Sequence, residues 1–266
     1  MKEEILSYVS AACPWRDTLH WYDTIDSTNT HAKKLAAQGA PEGTVVIAAE
    51  QSAGRGRMGR SFHSPSGMGL YLSAILRPQC APEQLMHLTC AVAVAACDAI
   101  SQVTGFRPGI KWINDLVAGK QKLGGILTEL SVNPETGKVS YAVIGIGINC
   151  NHGEADFPPE LRDIATSLRS VTGSECKVAP LAAMLMEKLF DLSQTLVSEH
   201  SGIMNRYRKD CITPGQQILV LRAEERRYGT ADAVLDDGSL LVTYSDGTQE
   251  AVASGEVSIR GMYGYL

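Results

Sequence analysis

EQSAGRGRMGRSFHSPSGMGLYLS, residues 50–73, constrains the fold more than any other stretch of the chain. Inside it, Gly54-Arg55-Gly56-Arg57-Met58-Gly59 matches G-x-G-x-x-G, the pattern of a dinucleotide-binding turn. Such a turn needs a helix directly after the glycines and an acidic residue about 20 positions on. SFHSPSGMG follows instead, which no regular helix accommodates, and Gln79-Cys80 stands where the acid belongs. The segment therefore reads as a loop between two strands, TVVIAAEQ (44–51) and GLYLSAIL (69–76). Gly145-Ile146-Gly147 fails the same test because it has no third glycine.

Three arginines, Arg55, Arg57 and Arg60, alternate with glycines in this loop. Glycine lets a backbone approach a ligand closely, and arginine presents a fixed fork of donors to phosphate or carboxylate. Ordering such a loop alone is costly, because like charges crowd and glycine loses much entropy. An anion would order it. On that reading, residues 54–67 are mobile without ligand and protected with it. Composition also allows a mobile surface loop with solvated arginines. An Arg/Gly nucleic-acid segment would need repetition and a basic surround, and the formal net charge of −5 supplies neither.

Outward from the loop, Asp26-Ser27-Thr28-Asn29 is a cluster of N-cap residue types ahead of the helical run HAKKLAAQ, which Gly39 stops. Residues 1–12 read as a short amphipathic helix. Pro82 opens a long helix over residues 82–104, ended by Gly105. IKWINDLVAG and KQKLGGILTEL read as two strands joined by a turn near Gly119, which sets Asp115 opposite Gly124 and draws Lys111 and Lys122 toward the acid. Two lysines with a carboxylate and an amide suit phosphoryl chemistry; the alternative is a hairpin with solvated charges, which is how Lys120 reads. Gly124-Gly125 weakens its strand and marks a close approach. YAVIGIGIN (141–149) is a further apolar strand. Its Asn149 suits either an adenine edge or a turn cap, and Phe62 either a base stack or the core. His63, Cys150 and His152 have no metal-ligand spacing and read as structural. Helical patterns follow near 160–170 and 178–200. From Pro214 to Arg260, short alternating strands split by Asp236-Asp237-Gly238 and Asp246-Gly247 indicate a small β-barrel, which puts a boundary near 212.

At 44% hydrophobic and 20% charged, 266 residues bury a substantial core without staples. Seven cysteines with no Cys-x-x-Cys pair argue against a disulfide framework or a zinc site, and a reducing cytoplasm is expected. The N-terminus has no signal-peptide pattern, and no uninterrupted apolar run of about 18 residues marks a membrane span.

Taken in order, DSTN (26–29), the 50–73 stretch, KWINDL (111–116), KLGGIL (122–127), GIGIN (145–149) and GEVSIRG (255–261) resemble the biotin–protein ligases. The pairing of GRGRxGR with a downstream KWxND is the most specific part, and the resemblance covers nearly the whole chain. It implies an α/β (α+β) catalytic domain related to class II aminoacyl-tRNA synthetases, with a mixed sheet and helices, over residues 1–212. An SH3-like barrel follows over residues 213–266. It also implies that ATP and biotin are substrates, with Mg²⁺ present. Biotinyl-5′-AMP forms first, and the biotinyl group then passes to a lysine of a biotin carboxyl carrier protein. Lipoate or octanoate ligases and transferases share the fold and are the nearest alternative.

Carried over by position, the resemblance implies that Ser27, Thr28, Asn29, Gln51, Arg55, Gly56, Arg57, Lys122, Gly124 and Gly125 surround biotin. Arg57, Arg60, Phe62, Lys111, Asn114, Asn149 and Arg260 fall on the ATP side. Lys122, Lys111 and Arg57 are the expected catalytic groups, and Asp115 the expected Mg²⁺ ligand. Ile113 stands where the family commonly has proline, and Phe62 where it commonly has tryptophan. Only 25 residues precede DSTN, too few for the winged helix-turn-helix of repressor members, so DNA binding is not expected. Members are often homodimers, but no interface can be read from the sequence.

Overall fold

A computed structural model describes residues 1–222 and 225–253, together with the backbone of 258–261. Helix α1 (Lys2–Tyr8) leads into strand β1 (Leu19–Ile25), helix α2 (Thr28–Ala37) and strand β2 (Val45–Gln51). The arginine loop and strand β3 (Gly69–Leu76) come next, then helix α3 (Leu88–Thr104). Strands β4 (Gly109–Lys111), β5 (Asp115–Ala118), β6 (Gln121–Val132) and β7 (Val139–Asn149) follow in succession. With β1–β3 they form one seven-stranded sheet in the order β1-β2-β3-β7-β6-β5-β4, parallel only between β1 and β2.

Both faces of the sheet are covered, which explains the unbroken apolar runs of β2 and β3. Val45 and Ile47 join the main core, while Val46, Ile75 and Val143 on the opposite face pack against Ala32 and Ala36 of α2. Helix α3 lies in the main core, and its run of buried Ala91, Ala93, Ala95, Ala96 and Ala99 provides a smooth packing surface. Cys90 and Cys97 are fully buried there. Pro82–Thr104 is long and apolar enough to cross a membrane by length and composition, but most of it is buried, as in a core helix.

The expected 82–104 helix is divided. A 3-10 turn covers Pro82–Leu85, and α3 begins only at Leu88. Between them His87 leaves helical geometry at φ −84°, ψ 2°, its Nε2 2.9 Å from the Leu196 carbonyl and its ring stacked on His200. Gly105 ends α3 in the left-handed region at φ 74°, a position that suits glycine.

After β7 come helices α4 (Leu168–Thr172), α5 (Val178–Thr195) and α6 (His200–Asp210). Helix α6 extends past the pattern that the sequence suggested. The C-terminal strands β8 (Gln217–Arg222), β9 (Glu225–Val234), β10 (Leu240–Tyr244), β11 (Gln249–Val252) and β12 (Ser258–Gly261) form a five-stranded antiparallel sheet in the order β11-β10-β9-β8-β12. The architecture is thus a mixed α/β layer with a small antiparallel C-terminal sheet of the SH3-like kind. The two sheets meet at the β9–β10 turn: Trp112 Nε1 donates to Gly238 O (2.8 Å), and Arg208 Nε donates to Val234 O (2.8 Å).

Candidate active site

The arginine loop is a tight hairpin. Gly56 N donates to Arg60 O (2.7 Å), Phe62 N donates to Gly54 O (2.9 Å), and Arg55 bridges Ser61. The tip, Arg57–Gly59, is a 3-10 turn in which Met58 takes φ 54°. Gly54 is required by contact: a Cβ there would stand 2.4 Å from Phe62 O and 2.7 Å from Ser64 Oγ. The hairpin folds over the sheet so that Arg57 reaches the next cluster, its NH1 donating to Asn114 Oδ1 (2.9 Å). Burial lowers the Arg57 guanidinium from its ordinary value; Asp115 opposes that shift and Arg60 adds to it. A partly desolvated cation of this kind favours an incoming anion.

The DSTN segment caps α2 and forms the other wall. Ser27 is the N-cap, its Oγ accepting from Thr30 N. Thr28 donates through both N (2.9 Å) and Oγ1 (3.1 Å) to Gln51 Oε1, and Gln51 Nε2 donates to Ser64 Oγ (2.9 Å). Asn29 Nδ2 donates to Leu127 O (3.3 Å) and Glu129 Oε2 (3.0 Å), while its Oδ1 accepts from Ser73 Oγ (2.6 Å). Asn29 thus borders the cleft, but both its amide protons are already held by protein acceptors.

The KWIND region departs from the expected two-strand hairpin. The first strand breaks at residues 112–114, and β4 turns back on β5, pairing Lys111 with Asp115. Asp115 also pairs with Gly125 rather than Gly124, one residue from the expected register, because β5 and β6 shift at Leu116/Val117. The convergence itself is present: Lys122 Nζ donates to Asp115 Oδ1 at 2.6 Å, and Asn114 Nδ2 contacts the same oxygen at 3.2 Å. Gly125 leaves room for this pair, since a Cβ there would meet Lys122 at 3.3 Å and Asp115 at 3.6 Å. Lys111 is only 7% exposed, so its ammonium belongs to the cleft rather than to bulk solvent.

One cleft, partly open to solvent, joins these walls. Ser27, Thr28, Asn29, Gln51, Arg55, Gly56, Arg57, Arg60, Phe62, Lys111, Asn114, Asp115, Lys122 and Gly125 all line it. Of the other carried-over residues, Gly124 and Asn149 are not among its lining, and Arg260 cannot be placed against it. Gly124 lies behind the cleft, where Gly147 O would stand 2.5 Å from an added Cβ. Asn149 is buried and donates to Thr166 O (3.0 Å). The backbone of Arg260 pairs with Leu219 in β12, but its side chain lies outside the described residues. Sequence reasoning missed Met58, Ser61, Trp112, Ile126, Leu127 and the wall of Gly145, Ile146 and Gly147. The two glycines were legible as close approaches: Cβ atoms there would meet Asn29 Oδ1 at 2.0 Å and Phe62 Cε1 at 2.6 Å.

The family described as Biotin/lipoate A/B protein ligase family matches residues 21–149. A biotin–[acetyl-CoA-carboxylase] ligase of Paracoccus denitrificans is 39% identical, over 89% of this chain and 98% of that protein. The chain belongs to the biotin–protein ligase family. A bifunctional ligase/repressor BirA of Bacillus subtilis is 35% identical, over 87% of this chain and 71% of its own length. Among solved structures, the biotin protein ligase of Aquifex aeolicus in complex with biotin and ATP superposes with a TM-score of 0.77 at 26% identity, covering 92% of this chain and 99% of that one.

In this biotin–protein ligase family member, Asp115 is the carboxylate that lines the cleft. Among the described residues no three His, Cys, Asp or Glu side chains gather, and Asp115 Oδ1 is already engaged by Lys122 and Asn114. These residues form no closed protein cage; Mg²⁺ at a nucleotide site takes one or two carboxylates together with substrate phosphates and water, so Asp115 would hold it only alongside the phosphates of ATP.

Two stability predictions arise here. Trp112 lines the cleft while its indole N–H donates to Gly238 O and its backbone N–H donates to Thr213 Oγ1 (2.8 Å). Trp112→Phe strands the buried Gly238 carbonyl, so chemical denaturation should show a loss of about 1–3 kcal/mol. The second prediction concerns His152, fully buried and stacked on Phe157 with ring centroids 4.7 Å apart. Burial first, and His63 second, hold its imidazole at about 4, with Asp156 opposing. An unfolded histidine titrates near 6.5, so the unfolded chain binds the proton first as pH falls. This contribution to stability is complete above about pH 6.5 and is lost as pH falls through about 4. Denaturation of the parent and His152→Leu across that window should show a shallower pH slope in the variant.

Proposed function

We propose that this cleft activates biotin with ATP, forming biotinyl-5′-AMP and pyrophosphate, and then passes the biotinyl group to a lysine of a carrier domain. One observation carries the reading: five cationic side chains, Arg55, Arg57, Arg60, Lys111 and Lys122, line one cleft whose lining carries a single carboxylate, Asp115, among otherwise neutral residues. Two anions, a carboxylate and a triphosphate, must be brought together against their mutual repulsion, and such a wall does this. No nucleophilic side chain is needed, because the attacking oxygen belongs to biotin.

In this reading Ser27, Thr28 and Gln51 border the ring system of biotin, and Leu127 and Ile146 flank its apolar chain. Lys122 stands at the carboxylate and α-phosphate, and Lys111 faces the phosphates. Arg57 closes from above, with Arg60 and Phe62 on the nucleotide side. As the carboxylate oxygen bonds to the α-phosphorus and the bond to pyrophosphate breaks, these cations stabilise the gathering charge. In the second step the carrier lysine amine attacks the mixed anhydride, and AMP leaves. The metal enters as MgATP, a substrate complex.

The same proposal assigns residues 1–212 to catalysis and 213–266 to an SH3-like domain, and takes a carboxylase carrier domain as the acceptor. It places the reaction in the cytoplasm, a setting that suits seven free cysteines. The test is pyrophosphate release with MgATP and either biotin or lipoate. Biotin-dependent release supports the reading, whereas release with lipoate alone overturns it in favour of a lipoate ligase.

A further inference from the structure

Glu129 lies on β6 and shares a face with Gly125 and Leu127 of the cleft. Its cross-strand partner is Val143, which packs under α2. Its Oε2 accepts from Asn29 Nδ2 (3.0 Å). Its Oε1 accepts from Lys33 Nζ (2.8 Å) and stands 3.6 Å from Arg55 NH1. It therefore joins the first arginine of the loop to the N-terminus of α2. The chain of bonds continues from Asn29 through Ser73 Oγ to Thr28 Oγ1 (2.8 Å), then through Gln51 to Ser64, whose Oγ donates to Phe62 O (2.9 Å). Both feet of the arginine hairpin are thus held by one polar network, and Glu129 is the carboxylate at its end.

We propose that Glu129 is a positioning residue: it holds Asn29 in one amide orientation and anchors Arg55, and so sets the closed pose of the loop at the biotin end of the cleft. Asn29 can present Nδ2 in only one direction while two acceptors, Glu129 and the Leu127 carbonyl, face it. A reversed amide would turn its oxygen toward a carboxylate, which costs more than a neutral mismatch. Burial pushes the Glu129 carboxyl up, but the bonds from Lys33 and Asn29 and the charge of Arg55 outweigh this and leave it below the usual range, so it is ionised at neutral pH. Lys33 is the control. It shares Glu129 but touches neither the loop nor the amide.

The kinetic arm of the test rests on the function proposed above; the exchange arm needs no ligand. Amide hydrogen exchange is followed in the full chain for the parent, E129Q and K33M. In E129Q the loop amides Gly56 and Phe62 should exchange about tenfold faster, with K33M close to the parent. In pyrophosphate release the biotin KM of E129Q should rise about tenfold while kcat stays within about twofold, because a lost positioning contact acts on binding. Parental exchange in E129Q, or equal loosening in K33M, overturns the proposal. So does a fall in kcat with an unchanged KM. Should E129Q fail to fold, E129D keeps the charge and retracts it by one methylene, and unaltered loop exchange in it is equally contrary. If the parent activates no biotin, the functional reading fails separately and exchange alone decides the role of Glu129.

Discussion

Replacing Lys122 with Gln should slow biotin-dependent ATP–pyrophosphate exchange by about 100-fold. A charge-assisted bond to a reacting phosphate is worth about 1.5–3 kcal/mol, and this substitution removes one. It also releases Asp115 Oδ1 from the 2.6 Å ion pair. With the Lys122 charge gone, the Asp115 carboxylate, still bonded by Asn114 Nδ2, adds net negative charge beside the incoming anions, so the loss lies at the upper end of that range. Stability should change little, because the pair is partly solvated and such pairs contribute about 1 kcal/mol or less. The defect should fall mainly on the first step, with the ATP KM less affected than kcat. Lys120→Ala, at the exposed turn between β5 and β6, should remain within about twofold of the parent in the same assay. Equal rates for Lys122→Gln and the parent would remove Lys122 from the reaction.

The second large effect is expected at Gly145, where nothing in the chemistry of glycine itself is at stake. A Cβ on Gly145 would stand 2.0 Å from Asn29 Oδ1, 2.7 Å from its Cγ and 3.1 Å from its Nδ2. A flexible side chain could swing aside, but Asn29 is fixed by Ser73, Leu127 and Glu129. Gly145→Ala must therefore break that set of bonds or push α2 away from the sheet. Overpacking of this kind costs about 1–3 kcal/mol, and a displaced wall of about 1 Å can cost 100-fold in turnover. The melting midpoint should drop by about 5 °C and kcat/KM for biotin by about 100-fold. A variant that melts and turns over like the parent would show that Asn29 is free to move.

How much of this was legible in the sequence differs from element to element. TVVIAAEQ and GLYLSAIL read correctly as buried strands, because a sheet covered on both faces leaves an unbroken apolar run. The failure of the Rossmann pattern was equally clear, since SFHSPSGMG forbids the helix it requires. KWIND was harder. Its apolar run looks like a continuous strand, yet the chain turns there, because the partners of the turn lie far along the sequence. Trp112 bonds to Thr213 and Gly238, and Ile113 O accepts from Tyr207 Oη (3.2 Å). No local pattern announces contacts of that range. The one-residue offset between Asp115 and Gly124 follows from the β5–β6 irregularity, which periodicity cannot show.

The site shows the same division. Every cationic residue expected in the cleft from the catalytic layer is there, because charge and glycine mark a loop or strand end in sequence. What escaped is the packing that holds those residues. Gly145 and Gly147 were dismissed with the nucleotide-binding pattern, although each makes room for one side chain. Glu129 sits in an ordinary strand and became visible only through its partners in α2 and the loop. Asn149 was placed between two uses, an adenine edge and a turn cap, and its bond to Thr166, 17 residues on, is neither of them.

The most direct test of ATP-dependent biotin transfer is the intact mass of an isolated carboxylase carrier domain after incubation with this chain, biotin and MgATP. The carrier should gain one biotinyl group on a single lysine, with no gain when ATP is omitted or when the lysine is replaced. An unmodified carrier in the complete mixture, or one modified only when lipoate replaces biotin, would contradict the account.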